Sequence, residues 1–287
     1  MDLPIRPRRN RKSPGLRALT RETVLCPGDF VLPLFLHDLE VDEVIPSMPG
    51  CKRWSLDGMV NEAGEALSVG VTAVVLFPAI DHSLKTKRGE ECFNREGLVQ
   101  RAIRALKSAY PELVVMTDVA LDPYSIDGHD GILEEGEILN DETVGILCKQ
   151  AVSQAEAGAD IIAPSDMMDG RIGALRGALD LAGYQKVSIC SYTAKYASAY
   201  YGPFRGALGS APKSGDKKSY QMDPSNRREA LRELSLDQDE GADIVMVKPA
   251  GAYLDIISDV RQHTTLPVAA YQVSGEYLMI KSASAEG

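Results

Sequence analysis

The sequence predicts an α/β fold, a (β/α)8 TIM barrel carrying an extended N-terminal arm. Three observations predict it. Short apolar runs of strand type alternate with longer amphipathic stretches, the pattern of a parallel sheet covered by crossover helices. Several runs are preceded by a glycine placed where a helix should end. Polar residues gather at the C-terminal ends of the runs, the end at which such a barrel builds a site.

The arm comes first, over residues 1–28, and the barrel domain is expected over 29–287. Arg6, Arg8, Arg9, Arg11 and Lys12 cluster against an otherwise acidic chain. Charge alone leaves two readings of this segment, a solvated tail or an arm docked on an acidic neighbouring subunit. No apolar segment follows it to make a secretory signal, and no run of about 18 apolar residues suits a membrane span. The expected location is therefore cytoplasmic.

The strand-type runs follow in order: FVLPLFL (30–36), VTAVVLF (71–77), LVVMTDVA (113–120), ADIIAPS (159–165), VSICSY (187–192), ADIVMVK (242–248) and LPVAAYQV (266–273). Gly70, Gly158 and Gly241 supply the preceding helix ends. Strand ends carry Asp118, Ser165, Asp166, Tyr192, Lys248 and Ser274. A seven-stranded doubly wound sheet is the alternative, but this collection of polar strand ends favours the barrel. After the seventh run, GEYLMIKSASAEG starts a helix, so the eighth β/α unit is expected to be absent from the sequence.

One stretch breaks the rhythm. Residues 200–221, YYGPFRGALGSAPKSGDKKSYQ, are rich in Gly, Ser, Pro and Lys and read as a long loop without apolar period. Loops of this length inside a compact domain are usually functional or disordered. Arg205, Lys213, Lys217 and Lys218 suit a lid over an anionic substrate.

Composition narrows the function. A net charge of −10 and a pI near 5.0 argue against nucleic-acid binding, which needs a positive field, and leave small-molecule chemistry. The five cysteines are odd in number and lack CxxC spacing, as expected of reduced thiols. His37, His82, His129 and His263 show no ligand spacing and read as structural or surface residues. Neither a GxSxG nucleophile motif nor a phosphate loop is present.

The candidate chemistry lies in two lysines. Lys248 ends the apolar run IVMV, where burying an ammonium costs several kcal/mol unless it is paired or neutral. A strand-end lysine can simply snorkel to the rim; desolvated, it becomes a neutral amine able to attack a carbonyl. Lys195 follows the run VSICSY. On a neighbouring strand end its charge would lower the pKa of Lys248, and the two read as a mutually activating pair.

GADIVMVKPAGAYLDI (241–256) resembles the Schiff-base lysine signature of the porphobilinogen synthase (5-aminolevulinate dehydratase) family in its bacterial form. SMPG (47–50), APSDMMDGR (163–171), SYTAKYASAYYGPFR (191–205), SYQMDPSNRREALRE (219–233) and YQVSGEY (271–277) resemble that family's blocks in the family's order. The resemblance implies condensation of two 5-aminolevulinate molecules, with imines at Lys248 and Lys195. It implies that Arg205 and Lys217 bind the carboxylate of the second molecule and Ser274 that of the first, with Asp118 and Tyr192 also in contact with substrate. It further implies a homo-octamer held by N-terminal arms.

Residues 117–131, TDVALDPYSIDGHDG, depart from the zinc-dependent branch of that family. Ala120, Asp122 and Asp130 stand where that branch has cysteines. Carboxylates suit magnesium or a monovalent cation rather than zinc, so no catalytic zinc is expected, and Asp122 and Asp130 are candidates for an active-site cation. Without the resemblance, the stretch would read as a polar loop. Glu233 matches the glutamate that binds allosteric Mg2+ in magnesium-responsive members. The rival readings are a class I Schiff-base aldolase and a truncated, non-catalytic relative.

Overall fold

The computed structural model describes residues 3–287, so the first two residues of the arm lie outside the described residues. Seven parallel strands form a continuous sheet: β1 (Val31–Leu36), then β4 (Ala73–Pro78), β5 (Val114–Val119), β8 (Ile161–Pro164), β9 (Ser188–Lys195), β10 (Ile244–Lys248) and β11 (Val268–Ala270). They coincide with the seven apolar runs. Two short strands, β2 (Glu43–Val44) and β3 (Lys52–Trp54), extend the sheet beyond β1, with β3 parallel to β1 and β2 antiparallel to β3. Among the described residues β1 and β11 do not pair with each other.

Period-two alternation divides the core into two layers. On β4, Val74 and Leu76 face the helices, whereas Val75 and Phe77 face the lumen; on β1, Leu34 and Leu36 face out and Phe35 faces in. Helices α2 (Leu56–Ser68), α3 (Leu98–Ala109), α4 (Asn140–Ala157), α5 (Arg171–Leu181), α7 (Arg227–Asp239) and α8 (Leu254–His263) follow the successive strands. On α3, Leu98, Val99, Ala102, Ile103 and Leu106 recur at helical spacing and bury one face. Gly70, Gly158 and Gly241 all adopt positive φ, the left-handed turn that lets each helix stop before its strand.

Other elements departed from expectation. A hairpin, β6 (Ile132–Glu134) with β7 (Glu137–Leu139), follows the β5 loop. Residues 200–221 are not a featureless loop: they open with α6 (Gly202–Leu208), whose Phe204, Ala207 and Leu208 pack in the lumen. The N-terminal segment holds a 3-10 turn over Pro7–Arg11 and α1 (Pro14–Leu19), neither burying a residue. The chain closes on α9 (Ser274–Glu286).

Candidate active site

Lys195 and Lys248 are paired in register across β9 and β10. The pairing depends on a local irregularity. Val245 faces Ser191, but Val247 faces Ala194, so β9 carries one extra residue between these rungs. Such a bulge reverses the parity of everything after it. Cys190 and Tyr192 face the lumen and Ala194 faces the helices, which leaves Lys195 pointing inward beside Lys248. Without the bulge, Lys195 would point at the helices.

The two amines sit in unlike surroundings. Lys248 Nζ lies over four rings, those of Tyr271 (4.3 Å), Tyr192 (5.0 Å), Phe204 (5.4 Å) and Tyr201 (5.5 Å). It makes no hydrogen bond or ion pair among the described residues. Burial, followed by the charge of Lys195, lowers its pKa from 10.5 to about 7. Lys195 instead donates to a carboxylate oxygen of Asp130 at 3.0 Å and to the carbonyl of Ser165. Lys195 thus helps to discharge Lys248, while Asp130 partners Lys195.

The carboxylates divide in the same way. Burial, reinforced by the charge of Asp122, pushes Asp118 up to about 7, and its Oδ1 has no hydrogen-bond partner. Burial acts in the same direction on Asp130, but the ammoniums of Lys195 and Lys217 outweigh it and hold this group at about 2. Lys217 bonds to Asp130 and approaches Asp122 at 3.4 Å. Burial opposes its charge, yet these two carboxylates raise its pKa. Thus Asp122 and Asp130, expected as cation ligands, are engaged here by lysine ammoniums. Among the described residues no three His, Cys, Asp or Glu side chains group as a metal site.

The remaining candidates fall into three places. Arg205, half-buried on α6, lines the same cavity as Asp118, Asp130, Lys195, Lys217 and Lys248. Tyr192 is fully buried, and its hydroxyl has no partner. Ser274 accepts a hydrogen bond from Phe204 N–H (3.1 Å) and donates to Tyr200 O (3.0 Å), so its hydroxyl ties the start of α9 to α6. Glu233 lies apart, half-buried on α7 in a groove of about 630 Å³ shared with Glu229, Asp169 and Asp223. Burial raises its pKa.

The cavity holding both lysines has only about 40 Å³ of room, the space of roughly one water. A second cavity of about 330 Å³ reaches Lys248 from between β1 and β11 and is lined by Phe35, Met48, Tyr271 and Ser274. Sequence reasoning missed Tyr271, Tyr201 and Phe204 as the rings around Lys248. Tyr271 had a signal, since it lies in the seventh apolar run, but a ring's approach to an amine from another strand has none.

The delta-aminolevulinic acid dehydratase family profile matches residues 4–287. Delta-aminolevulinic acid dehydratase, chloroplastic, of Physcomitrium patens is 61% identical over 288 residues, covering 99% of this chain and 66% of that protein. Its namesake in Glycine max is 62% identical over 283 residues, covering 98% and 68%. The chain thus spans about two thirds of the length of these relatives. A crystal structure of delta-aminolevulinic acid dehydratase (porphobilinogen synthase) from Toxoplasma gondii ME49, in complex with the reaction product porphobilinogen, superposes with a TM-score of 0.97. It is 52% identical, and the match covers 99% of this chain and 82% of that one. Relatives named chloroplastic overturn the cytoplasmic expectation, which rested on the lack of a secretory or membrane segment, a feature blind to plastid residence. They also come from plants rather than from the bacterial form that the signature resembled. With a barrel-type sheet, a register-paired lysine couple and a match along nearly its whole length, the chain belongs to the delta-aminolevulinic acid dehydratase family.

Proposed function

We propose that the chain is a porphobilinogen synthase, condensing two molecules of 5-aminolevulinate into porphobilinogen with release of two waters. The observation that carries this reading is the in-register pair of amines, one desolvated to a pKa of about 7 and the other held by a carboxylate. Lys248, neutral in a large fraction of molecules near pH 7, attacks the ketone carbon of one substrate; its oxygen leaves as water and an imine remains. Asp118, also close to 7, is matched to give and take the protons of that step.

Lys195 takes the second substrate. A carboxylate arriving between Arg205 and Lys217 would draw Lys217 away from Asp130 and enlarge the small cavity. The ring closes by one carbon–carbon and one carbon–nitrogen bond, and the product leaves as its imine is exchanged. Ser274, at the edge of the second cavity, is offered to the carboxylate of the first substrate.

The same reading places hydrated Mg2+ at Glu233, where the neighbouring donors are carboxylates and magnesium needs only one or two of them. A monovalent cation at Asp122 and Asp130 fits only once Lys217 has moved. Amine and carboxylate donors at that site do not favour zinc. The exposed basic segment supports an arm that joins subunits in a homo-octamer, and the chloroplastic relatives support residence in a plastid. Incubation with 5-aminolevulinate alone should produce a pyrrole that colours with an acidic aldehyde reagent. A folded sample giving no colour would contradict the assignment, as a class I aldolase would.

A further inference from the structure

His129, which the sequence reads as structural or surface, is buried between the β5 loop and the segment that follows α6. The ring is 3% exposed, and both nitrogens are engaged by residues of the 209–221 segment that follows α6. Nε2 lies 2.9 Å from the carbonyl of Ser214, and Nδ1 lies 3.1 Å from the hydroxyl of Tyr220. A carbonyl can only accept, so Nε2 carries a proton. In the neutral ring Nδ1 then accepts from the Tyr220 hydroxyl. The Tyr220 oxygen in turn accepts the backbone N–H of Asp130 at 3.3 Å. One chain of hydrogen bonds therefore runs from the Ser214 carbonyl through His129 and Tyr220 to the backbone of Asp130.

Asp130 is the carboxylate shared by Lys195 and Lys217, so this chain ends on the group that partners both cations. Lys217 also approaches Asp122 at 3.4 Å, and backbone contacts add to these. Lys213 N–H donates to Asp127 O at 3.0 Å, and Gly128, at a φ of +72°, lies so close to the carbonyl of Ala211 that a Cβ there would sit 2.3 Å from it. The Lys213 amide bond and the close packing of Gly128 against Ala211 help to hold the segment down. The imidazole joins Ser214 to Tyr220 within that segment, and through Tyr220 it reaches the amide of the residue whose carboxylate binds the lysines.

We propose that His129 is a positioning residue: it latches the 209–221 segment closed and couples that closure to the placement of Asp130 between Lys195 and Lys217. The proposal rests on the porphobilinogen synthase reading for its assay. Opening the latch lowers the fraction of molecules whose site is assembled, which raises the apparent substrate constant by the same factor. Saturating substrate restores closure, because its carboxylate supplies Lys217 with a partner inside the cavity.

Steady-state kinetics with 5-aminolevulinate and amide hydrogen exchange test this on the wild type, on three single variants, His129→Phe, His129→Gln and Tyr220→Phe, and on the double variant joining His129→Phe with Tyr220→Phe. His129→Phe and Tyr220→Phe should each raise KM about tenfold with kcat held within about threefold, and speed exchange across 209–221. The double variant should be no worse than the poorer single, since both cut one chain. His129→Gln, whose amide offers a donor and an acceptor, should recover most of the loss. A fall in kcat at unchanged KM, or unaltered exchange in Tyr220→Phe, would overturn the latch, and Tyr220→Phe decides the matter even if His129→Phe fails to fold. Wild type that makes no pyrrole would instead defeat the functional reading, while the exchange data would still report on the latch.

Discussion

Lys248 and Asp118 reach the neighbourhood of pH 7 from opposite directions, one losing charge through burial and the other keeping its proton through burial. A buried amine and a buried acid of matched affinity exchange protons at little cost, which is what forming and hydrolysing an imine requires. Two consequences can be measured. Because the attacking amine must be neutral, kcat/KM should rise with pH through about 7. Unfolded Lys248 binds its proton up to about pH 10.5, whereas the folded residue gives it up near 7, so its burial weakens the fold most below 7 and the penalty fades between 7 and 10.5. Lys248→Met should therefore lower activity roughly 10³-fold or more while raising the melting temperature at pH 7, with a gain that shrinks toward pH 10. Melting curves across that range check the sign. Both lysines were legible in the sequence, one from its place after IVMV and the other from SYTAK. Their unlike surroundings were not, because Asp130 comes from the loop after β5, 65 residues earlier.

At the scale of elements, β9 and α6 decide the site. The bulge in β9 turns Lys195 inward, and no rule of alternation reveals it: Cys190 and Tyr192 on the lumen side would send residue 195 to the helices. The helix α6 had a signal that Gly and Pro obscured, since Phe204, Ala207 and Leu208 stand at i, i+3 and i+4. Its C-terminus depends on Arg53 of β3, whose guanidinium donates to Ala207 O (2.5 Å) and Gly206 O (3.1 Å) while an ion pair with Glu43 steadies it. Cations favour helix C-termini, where carbonyls lack partners. Arg53→Met should loosen α6 by about 1–2 kcal/mol, seen as faster amide exchange over 202–208 and a raised KM for 5-aminolevulinate. Unchanged exchange would show that packing of Phe204 and Leu208 suffices.

For the whole molecule, the seven apolar runs and their glycine stops laid out the sheet, and the strand-end lysines located its site. The residues joining the lid to the β5 loop lay beyond sequence reasoning, because they meet only after the chain has closed on itself. The N-terminal segment presents Ile5, Leu19, Val24 and Leu25 to solvent alongside its basic residues, a surface that suits the proposed contact with a second subunit. Removing residues 1–24 should leave unfolding of the subunit nearly unchanged and shift sedimentation toward smaller assemblies. An assembly of unchanged size would remove the arm from the interface.

On the proposed function, Lys248 loses its proton near pH 7 and captures a ketone. Reduction with borohydride in the presence of labelled 5-aminolevulinate, followed by peptide mass mapping, tests it directly. One substrate should become fixed on the peptide containing Lys248, with Lys195 labelled when a second is bound; a folded sample with no label on Lys248 would rule out that role.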